Sequence, residues 1–136
     1  MKSPHLLRVT LPPDRFGSLI AAARTLKLRI GWLEWSAESP APSALDGAAD
    51  LGVLRAVSVQ EGRTVSVKPL RGRPVLKDLL REHFLGCALV LVRGDVDAPA
   101  LEPDGDGWRI ELPENASRRL TTADLSEALR KPRPWD

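Results

Sequence analysis

The sequence predicts an α+β fold in which helices cover one face of a mostly antiparallel sheet. Three observations support this prediction. Segments with strand and helix periodicity follow one another in the order strand, helix, strand, strand, strand, helix, strand. Turn residues join the two middle strands at hairpin spacing. Two short strands and a short helix follow at the carboxyl end. The nearest named architecture is the ferredoxin-like βαββαβ plan, here extended by a C-terminal hairpin and helix.

The first strand, helix and strand of this plan lie in the first part of the chain. Residues 5–11 alternate apolar and polar side chains from Leu7 onward and stop at two prolines. Asp14 is a candidate cap for a helix over residues 15–26, where apolar residues recur at helical spacing. Residues 28–37 are apolar on both faces, which predicts either a central strand or a strand covered by other elements.

A loop and a hairpin are predicted next. Residues 38–50 are rich in proline, alanine and serine and lack periodicity, which predicts a flexible loop. Two valine-rich strands over residues 54–60 and 64–69 follow, with Glu61 and Gly62 forming the turn between them.

The tetrapeptide at residues 71–74 has two interpretations. Arg-Gly-Arg-Pro is the core of an AT-hook, a motif that binds the minor groove of DNA. The same residues suit a turn at Gly72 followed by a helix that begins at Pro74. An amphipathic pattern continues to Phe84, and it favours the helix. The continuous apolar run at residues 87–94 then predicts the central strand of the sheet.

The carboxyl end adds smaller elements. Residues 99–113 predict two short strands joined by a turn at residues 104–107. Thr121 or Thr122 is expected to cap the last helix, which stops at Pro132.

Length and composition predict a single small globular protein. The chain has 136 residues, of which 43% are hydrophobic and 28% charged. We expect an α+β core domain over residues 1–94 that carries the loop at 38–50. Residues 95–136 would form an extension of hairpin and helix packed on this core. The sequence shows no secretory signal, no membrane-spanning run and only one cysteine, Cys87, so we expect a cytoplasmic location and no membrane partner.

The sequence argues against several classes of enzyme. It has neither the G-x-G-x-x-G nor the Walker spacing of nucleotide-binding loops. His5, His83 and Cys87 do not assemble into a zinc site or a catalytic triad. We therefore expect no catalytic residue, no cofactor and no metal. One enzymatic hypothesis stays open, in which Asp95 and Asp97, just past a buried strand, hold a divalent metal ion.

The first functional hypothesis is a non-catalytic adaptor that binds protein partners or a second copy of itself. Tryptophan and arginine are enriched where interfaces concentrate binding energy. The candidate partner-binding residues are Trp32, Trp35, Arg133 and Trp135.

The alternative is an RNA- or DNA-binding domain. Several basic residues, Arg8 among them, lie in or beside predicted strands, with tryptophans nearby, and single-strand binders combine basic grooves with aromatic side chains. The candidate nucleic-acid-binding residues are Arg29, Arg55, Arg63, Lys68, Arg71 and Arg73.

Overall fold

The chain divides into two compact units. The computed structural model describes residues 3–35, 48, 51–68, 70 and 72–135. The larger unit comprises Met1–Ser36 and Lys77–Asp136, and the smaller unit comprises Ala37–Leu76. In sequence, the smaller unit is therefore inserted between two segments of the larger one.

Eight strands lie in the described residues. In chain order they are β1 (His5–Val9), β2 (Ile30–Trp35), β3 (Ala56–Gln60), β4 (Arg63–Val67), β5 (Leu89–Gly94), β6 (Ala100–Asp104), β7 (Gly107–Glu111) and β8 (Ser117–Leu120). Six of them form one sheet in the larger unit, in the order β2-β5-β1-β6-β7-β8. The pairs β2–β5, β5–β1 and β1–β6 are parallel, whereas β6–β7 and β7–β8 are antiparallel.

Strand β5 lies at the centre of the parallel half, as its continuous apolar sequence predicts. Residues 89–92 have no exposed surface, so both faces of this strand are covered. Leu89 is level with His5 of β1 and with Ile30 of β2. The three parallel strands therefore begin together at one edge of the sheet, which we call the amino edge, and end together at the opposite carboxyl edge.

The two halves of the sheet meet at a single bridge. Arg8 of β1 pairs with Ala100 of β6, and the Arg8 amide donates a hydrogen bond to the Pro99 carbonyl at 2.8 Å. Since β1 ends at Val9, β6 continues beyond the end of its neighbour. The chain can therefore pass from β5 to β6 through a short loop around the end of β1.

Three α-helices lie in the described residues: α1 (Gly17–Thr25), which follows a 3₁₀ turn (Pro13–Phe16), α2 (Leu76–His83) and α3 (Thr122–Ala128). The Thr121 hydroxyl caps α3 by accepting a hydrogen bond from the Asp124 amide at 3.1 Å. Thr121 is one of the two residues predicted to cap this helix.

Helix α1 ends in a Schellman motif. The Leu28 amide donates to the Ala23 carbonyl and the Lys27 amide donates to the Arg24 carbonyl, both at 2.9 Å. Lys27 has φ 61°, the left-handed conformation that glycine usually occupies at this position. A lysine therefore stands where backbone geometry favours glycine.

The core lies between the sheet and the helices α1 and α3. Phe16 is fully buried there between Trp32 of β2, at a ring-centroid distance of 5.8 Å, and Trp108 of β7, at 5.6 Å. The Trp108 indole N–H donates to the Thr122 hydroxyl at 2.9 Å, which satisfies its one polar group. Leu125 of α3 closes the same core and is also fully buried.

The opposite face of the sheet is covered at Gly31 of β2. Neighbouring residues of a strand point to opposite faces, so Gly31 faces away from the core that holds Trp32. A Cβ atom on Gly31 would collide with the Phe84 ring and lie 3.3 Å from the Cys87 sulfur. Phe84 follows α2 directly and therefore packs on this second face. Strand β2 is an edge strand of the described sheet, yet both of its faces are in contact with aromatic rings.

The smaller unit contains the predicted hairpin. Strands β3 and β4 pair with each other in an antiparallel two-stranded sheet. Gly62 lies in the turn with φ 82°, a conformation that suits glycine.

The structure confirms the α+β class but not the ferredoxin-like plan. Three of the five neighbouring pairs in the large sheet are parallel, whereas a mostly antiparallel sheet was predicted. Within the described residues, β3 and β4 pair only with each other, although the plan places them in the large sheet. Helices were also predicted on one face only, whereas Phe84 brings the end of α2 to the second face. Periodicity locates strands along the chain but does not specify the strands with which they pair.

Other predictions have mixed outcomes. The strand pattern missed β8, because Ser117–Leu120 contains two arginines and buries only Leu120. The predicted loop at residues 38–50 lies outside the described residues, apart from Ala48. The predicted domain boundary after residue 94 stays a prediction; the structure groups residues 95–136 with residues 1–36. No described helix has the length and apolar character needed to cross a bilayer.

Candidate functional site

Exposed apolar side chains are concentrated in the smaller unit. Of the nine large apolar side chains exposed in the described part of the chain, eight belong to residues 37–76. On β3, Val57 is 54% exposed and Val59 is 79% exposed. They share one face of the hairpin with Thr64 and Ser66 of β4, and we call this the valine face. The other six exposed residues are Leu51, Val53, Leu54, Val65, Leu70 and Val75.

Basic residues accompany these apolar side chains. Among the described residues of the smaller unit, four are basic and one, Glu61, is acidic. The basic ones are Arg55, Arg63, Lys68 and Arg73, which all belong to the predicted nucleic-acid set. Arg71, from the same set, lies outside the described residues. Over its full sequence, residues 37–76, the smaller unit has five basic and four acidic residues, so the unit as a whole is nearly neutral.

The sixth member of the predicted nucleic-acid set, Arg29, lies in the larger unit just before β2. The predicted set is thus distributed over both units, and a single continuous basic face stays a prediction. Arg8 of β1 is partly buried, and its Nε atom has no hydrogen-bond partner within the described part of the chain.

Trp32, Glu34 and Arg93 form a cluster at the carboxyl edge. The Trp32 indole N–H donates to one carboxylate oxygen of Glu34 at 2.9 Å, and the Arg93 Nε donates to the other at 2.9 Å. Partial burial raises the pKa of Glu34, but the hydrogen bonds from Trp32 and Arg93 and the charge of Arg93 outweigh it, so the pKa lies below its ordinary value of 4.5. The sequence predicted Trp32 as a partner-binding residue; its ring packs on Phe16 and its N–H is bonded within this cluster.

This cluster gives the fold a pH dependence. The folded-state pKa of Glu34 lies below the unfolded value, so its contribution to the free energy of unfolding is complete above about pH 4.5 and is lost as the pH falls through the folded-state pKa. Both partners are exposed, so we expect Glu34→Gln to cost at most about 1 kcal/mol near neutral pH and nothing at low pH. Urea unfolding between neutral and acidic pH measures this difference.

The matched control is Glu61→Gln, a carboxylate that makes no hydrogen bond or ion pair with any described residue. Its unfolding free energy is expected to track the native chain at every pH. If the free energy of unfolding of Glu34→Gln, plotted against pH, ran parallel to that of the native chain throughout, the stabilising role assigned to the Glu34 carboxylate would be contradicted.

The other three candidate partner-binding residues lie apart from this cluster. Trp35, the last residue of β2, faces away from Trp32 because it lies three positions along the strand. Trp135 packs against the core of the larger unit, and its ring meets His5 edge-on at 6.1 Å. Arg133 is exposed and has an interaction within the structure. The four residues do not form one cluster, so their role in binding a partner stays a prediction.

Asp95 and Asp97 follow β5 at the carboxyl edge, where the sequence placed them. Both are exposed. Over the residues that the structure describes, no three His, Cys, Asp or Glu side chains come together as a metal site would require. These two carboxylates therefore have no third protein ligand beside them in that part of the chain.

Cys87 is partly buried at the start of β5. Burial raises the pKa of its thiol, and the nearby charge of Arg29 opposes this only in part. A thiol with a raised pKa is protonated near neutral pH and is a weak nucleophile.

Sequence reasoning did not predict the exposure of the hairpin valines. It placed the hairpin in the main sheet, where one face would be buried. The register contains a signal against this, because Val57 and Val59 oppose Ser66 and Thr64. Each face of the hairpin therefore mixes valine with hydroxyl residues, and neither is apolar on both strands.

No protein-family model matches the chain, and no curated protein matches its sequence.

Proposed function

We propose that this chain is a non-catalytic binding module of the cytoplasm, whose valine face binds the surface of a partner protein. The observation that carries the proposal is the concentration of exposed large apolar residues in the smaller unit. Soluble proteins rarely expose apolar side chains in groups, and such groups mark sites of interaction. A two-stranded hairpin is also only marginally stable in water without further packing. A partner that covers Val57 and Val59 would provide that packing.

The groups beside the two valines are polar. Thr64 and Ser66 of β4 share the face with Val57 and Val59, and the smaller unit as a whole carries five basic and four acidic residues. Protein interfaces combine an apolar centre with a polar rim. The best-fitting partner therefore presents apolar side chains surrounded by polar groups.

A nucleic acid suits the valine face less well. Val57 and Val59 offer no hydrogen-bond donors to phosphates. Residues 37–76 contain no aromatic residue on which a base could stack. An apolar protein surface fits the two exposed valines better.

The experiment places a photoreactive cross-linking amino acid at Val59, and at Ser18 of α1 as an exposed control. We expect a discrete protein adduct in cells from position 59 and none from position 18. The partner protein in the adduct is then identified and purified. Its Kd is measured for the native chain and for the double variant Val57→Thr/Val59→Thr, which keeps the side-chain shape and the strand propensity. We expect the double variant to bind at least about tenfold more weakly, because two apolar contacts of roughly 0.8 kcal/mol per methyl group are lost.

Three outcomes would overturn this proposal. If the double variant bound the purified partner as tightly as the native chain does, the valine face would not be part of the interface. An adduct of twice the chain mass would assign the face to a second copy of the chain. An adduct with nucleic acid would favour the alternative that uses Arg55, Arg63 and Lys68.

A further inference from the structure

A second surface lies on the larger unit, at the amino edge of its sheet. Four segments meet there: residues 3–5, 26–29, 86–88 and 129–133. They are joined by hydrogen bonds from the His5 amide to the Ala88 carbonyl at 2.9 Å, from the Ala88 amide to the Arg29 carbonyl at 2.8 Å and from an Arg130 guanidinium nitrogen to the Leu26 carbonyl at 3.4 Å. We call this surface the basic rim.

The basic rim has a strong excess of positive charge. Its four segments contain five lysines and arginines and no acidic residue. Lys27, Arg29 and Lys131 are exposed, and none of them forms an ion pair with a described residue. Arg130 is different, because it pairs with Glu127 at 3.3 Å and its guanidinium also donates to the end of α1. Contacts with Glu127 and Leu26 therefore engage Arg130, whereas no hydrogen bond or ion pair with a described residue engages the side chains of Lys27, Arg29 and Lys131.

Two loops that the structure describes at the carboxyl edge of the same sheet have the opposite charge. These loops, residues 10–16 and 95–99, contain three acidic residues, Asp14, Asp95 and Asp97, and one basic residue, Arg15. Charge is therefore separated between the two ends of the parallel strands. Such a separation produces a field that draws an anionic ligand to the basic rim.

The basic rim also has the shape of a binding site. A groove of about 490 Å³ is lined by His5, Cys87, Leu129, Arg130 and Lys131, with smaller neighbours. A second groove of about 380 Å³ lies on the other side of Ser3 and carries Lys77 and Arg81. The two grooves share Ser3, so they form a track lined by basic side chains.

The backbone at Lys27 supplies an independent observation. Lys27 occupies the left-handed position that ends α1, with φ 61°. Non-glycine residues are strained in this region, and such strain is typically retained at functional positions. A glycine would fit the local backbone better, so a lysine here is consistent with use of its charge.

We propose that the basic rim binds the phosphate backbone of a single nucleic-acid strand. The two grooves accommodate one strand, and Arg and Lys side chains along them neutralise successive phosphates. The His5 ring lines the first groove and contacts Trp135, which places an aromatic pair next to the track for a base to stack on. A membrane surface fits less well, because insertion needs several large exposed apolar side chains, and Leu85 in the second groove is the only one of those described that lines the track.

The test measures fluorescence anisotropy of a labelled single-stranded oligothymidine of about 20 nucleotides with the full chain. We expect the Kd to rise steeply between about 50 and 200 mM salt. Lys27→Gly and Lys131→Gln are each expected to weaken binding by about fivefold and to reduce the slope of log Kd against log salt by about 0.7. Lys27→Gly is also expected to keep or raise the melting temperature, because glycine relieves the strained backbone. Loss of binding in this variant cannot then be attributed to unfolding.

The matched control is Arg15→Gln, which removes the same charge from the opposite edge of the sheet. It is expected to leave the Kd unchanged within about twofold. A Lys27→Gly Kd equal to that of Arg15→Gln would overturn the proposal. Equal binding of an acidic polypeptide, or binding only to vesicles of anionic lipid, would also overturn it, in favour of a protein or a membrane surface. The proposal does not depend on the valine face, whose test uses a different unit and a different ligand.

Discussion

Phe16→Ala is expected to lower the free energy of unfolding of the larger unit by about 3–5 kcal/mol. Phe16 is fully buried, and its ring contacts both Trp32 and Trp108. Truncation to alanine leaves a cavity between two large rings that are anchored by their own indole hydrogen bonds, so the site cannot collapse easily. A loss of this size is a large fraction of the stability of a small protein.

Urea unfolding followed by tryptophan fluorescence measures this loss, because two of the four tryptophans border the cavity. Phe16→Leu serves as the conservative variant and is expected to cost about 1–2 kcal/mol. Leu85→Ala, at a side chain that is 58% exposed, serves as the surface control, with an effect within about 0.5 kcal/mol. A Phe16→Ala variant as stable as Leu85→Ala would show that the ring stack does not hold the core together.

Gly94→Ala is expected to destabilise the larger unit by about 2–5 kcal/mol. Gly94 ends β5 with φ 148°, a conformation that residues with a Cβ atom rarely adopt. An added Cβ would also collide with the Trp35 carbonyl and lie 2.8 Å from the Trp35 Cβ. Backbone atoms of a paired strand cannot move aside as a flexible side chain can. The strained φ and the steric collision are therefore both expected to destabilise the variant.

Gly17→Ala provides a control whose expected effect on the free energy of unfolding has the opposite sign. Gly17 opens α1 with helical φ and ψ, and nothing lies within 4 Å of an added Cβ. Alanine is expected to stabilise this position by about 0.5–1 kcal/mol. Chemical denaturation of both variants, with amide hydrogen exchange in β2 and β5, measures the effects. Equal stability of the two variants would contradict the role assigned to Gly94.

The sequence predicts individual elements of this fold better than their pairing. The apolar run of β5 correctly indicated a central strand, and Thr121 was correctly named as one of two candidate caps. The parallel pairing of β2 with β5 was missed, because alternation of side chains is the same in parallel and antiparallel strands. Strand β8 was missed because it is held by the ladder to β7 and by one buried leucine, which leaves little hydrophobic pattern to detect.

Candidate sites were harder to predict for a related reason. The five lysines and arginines of the basic rim come from two segments that lie far apart in the sequence, 26–29 and 129–133. Only the parallel register brings His5, Arg29 and Ala88 together. The sequence named Arg29 but not Lys27, because the importance of Lys27 lies in its backbone conformation. Trp32 and Trp135, which the sequence named as candidate partner-binding residues, pack within the larger unit, and their role in binding stays a prediction.

The single bridge between Arg8 and Ala100 has a mechanical consequence. Torsion of the antiparallel half against the parallel half disrupts only this one ladder contact. Resistance to such torsion must come from the packing beneath the sheet, where Phe16 touches Trp32 on one side of the junction and Trp108 on the other. Together with the packing of α1 on α3, the aromatic stack therefore couples a twist at one end of the sheet to the other.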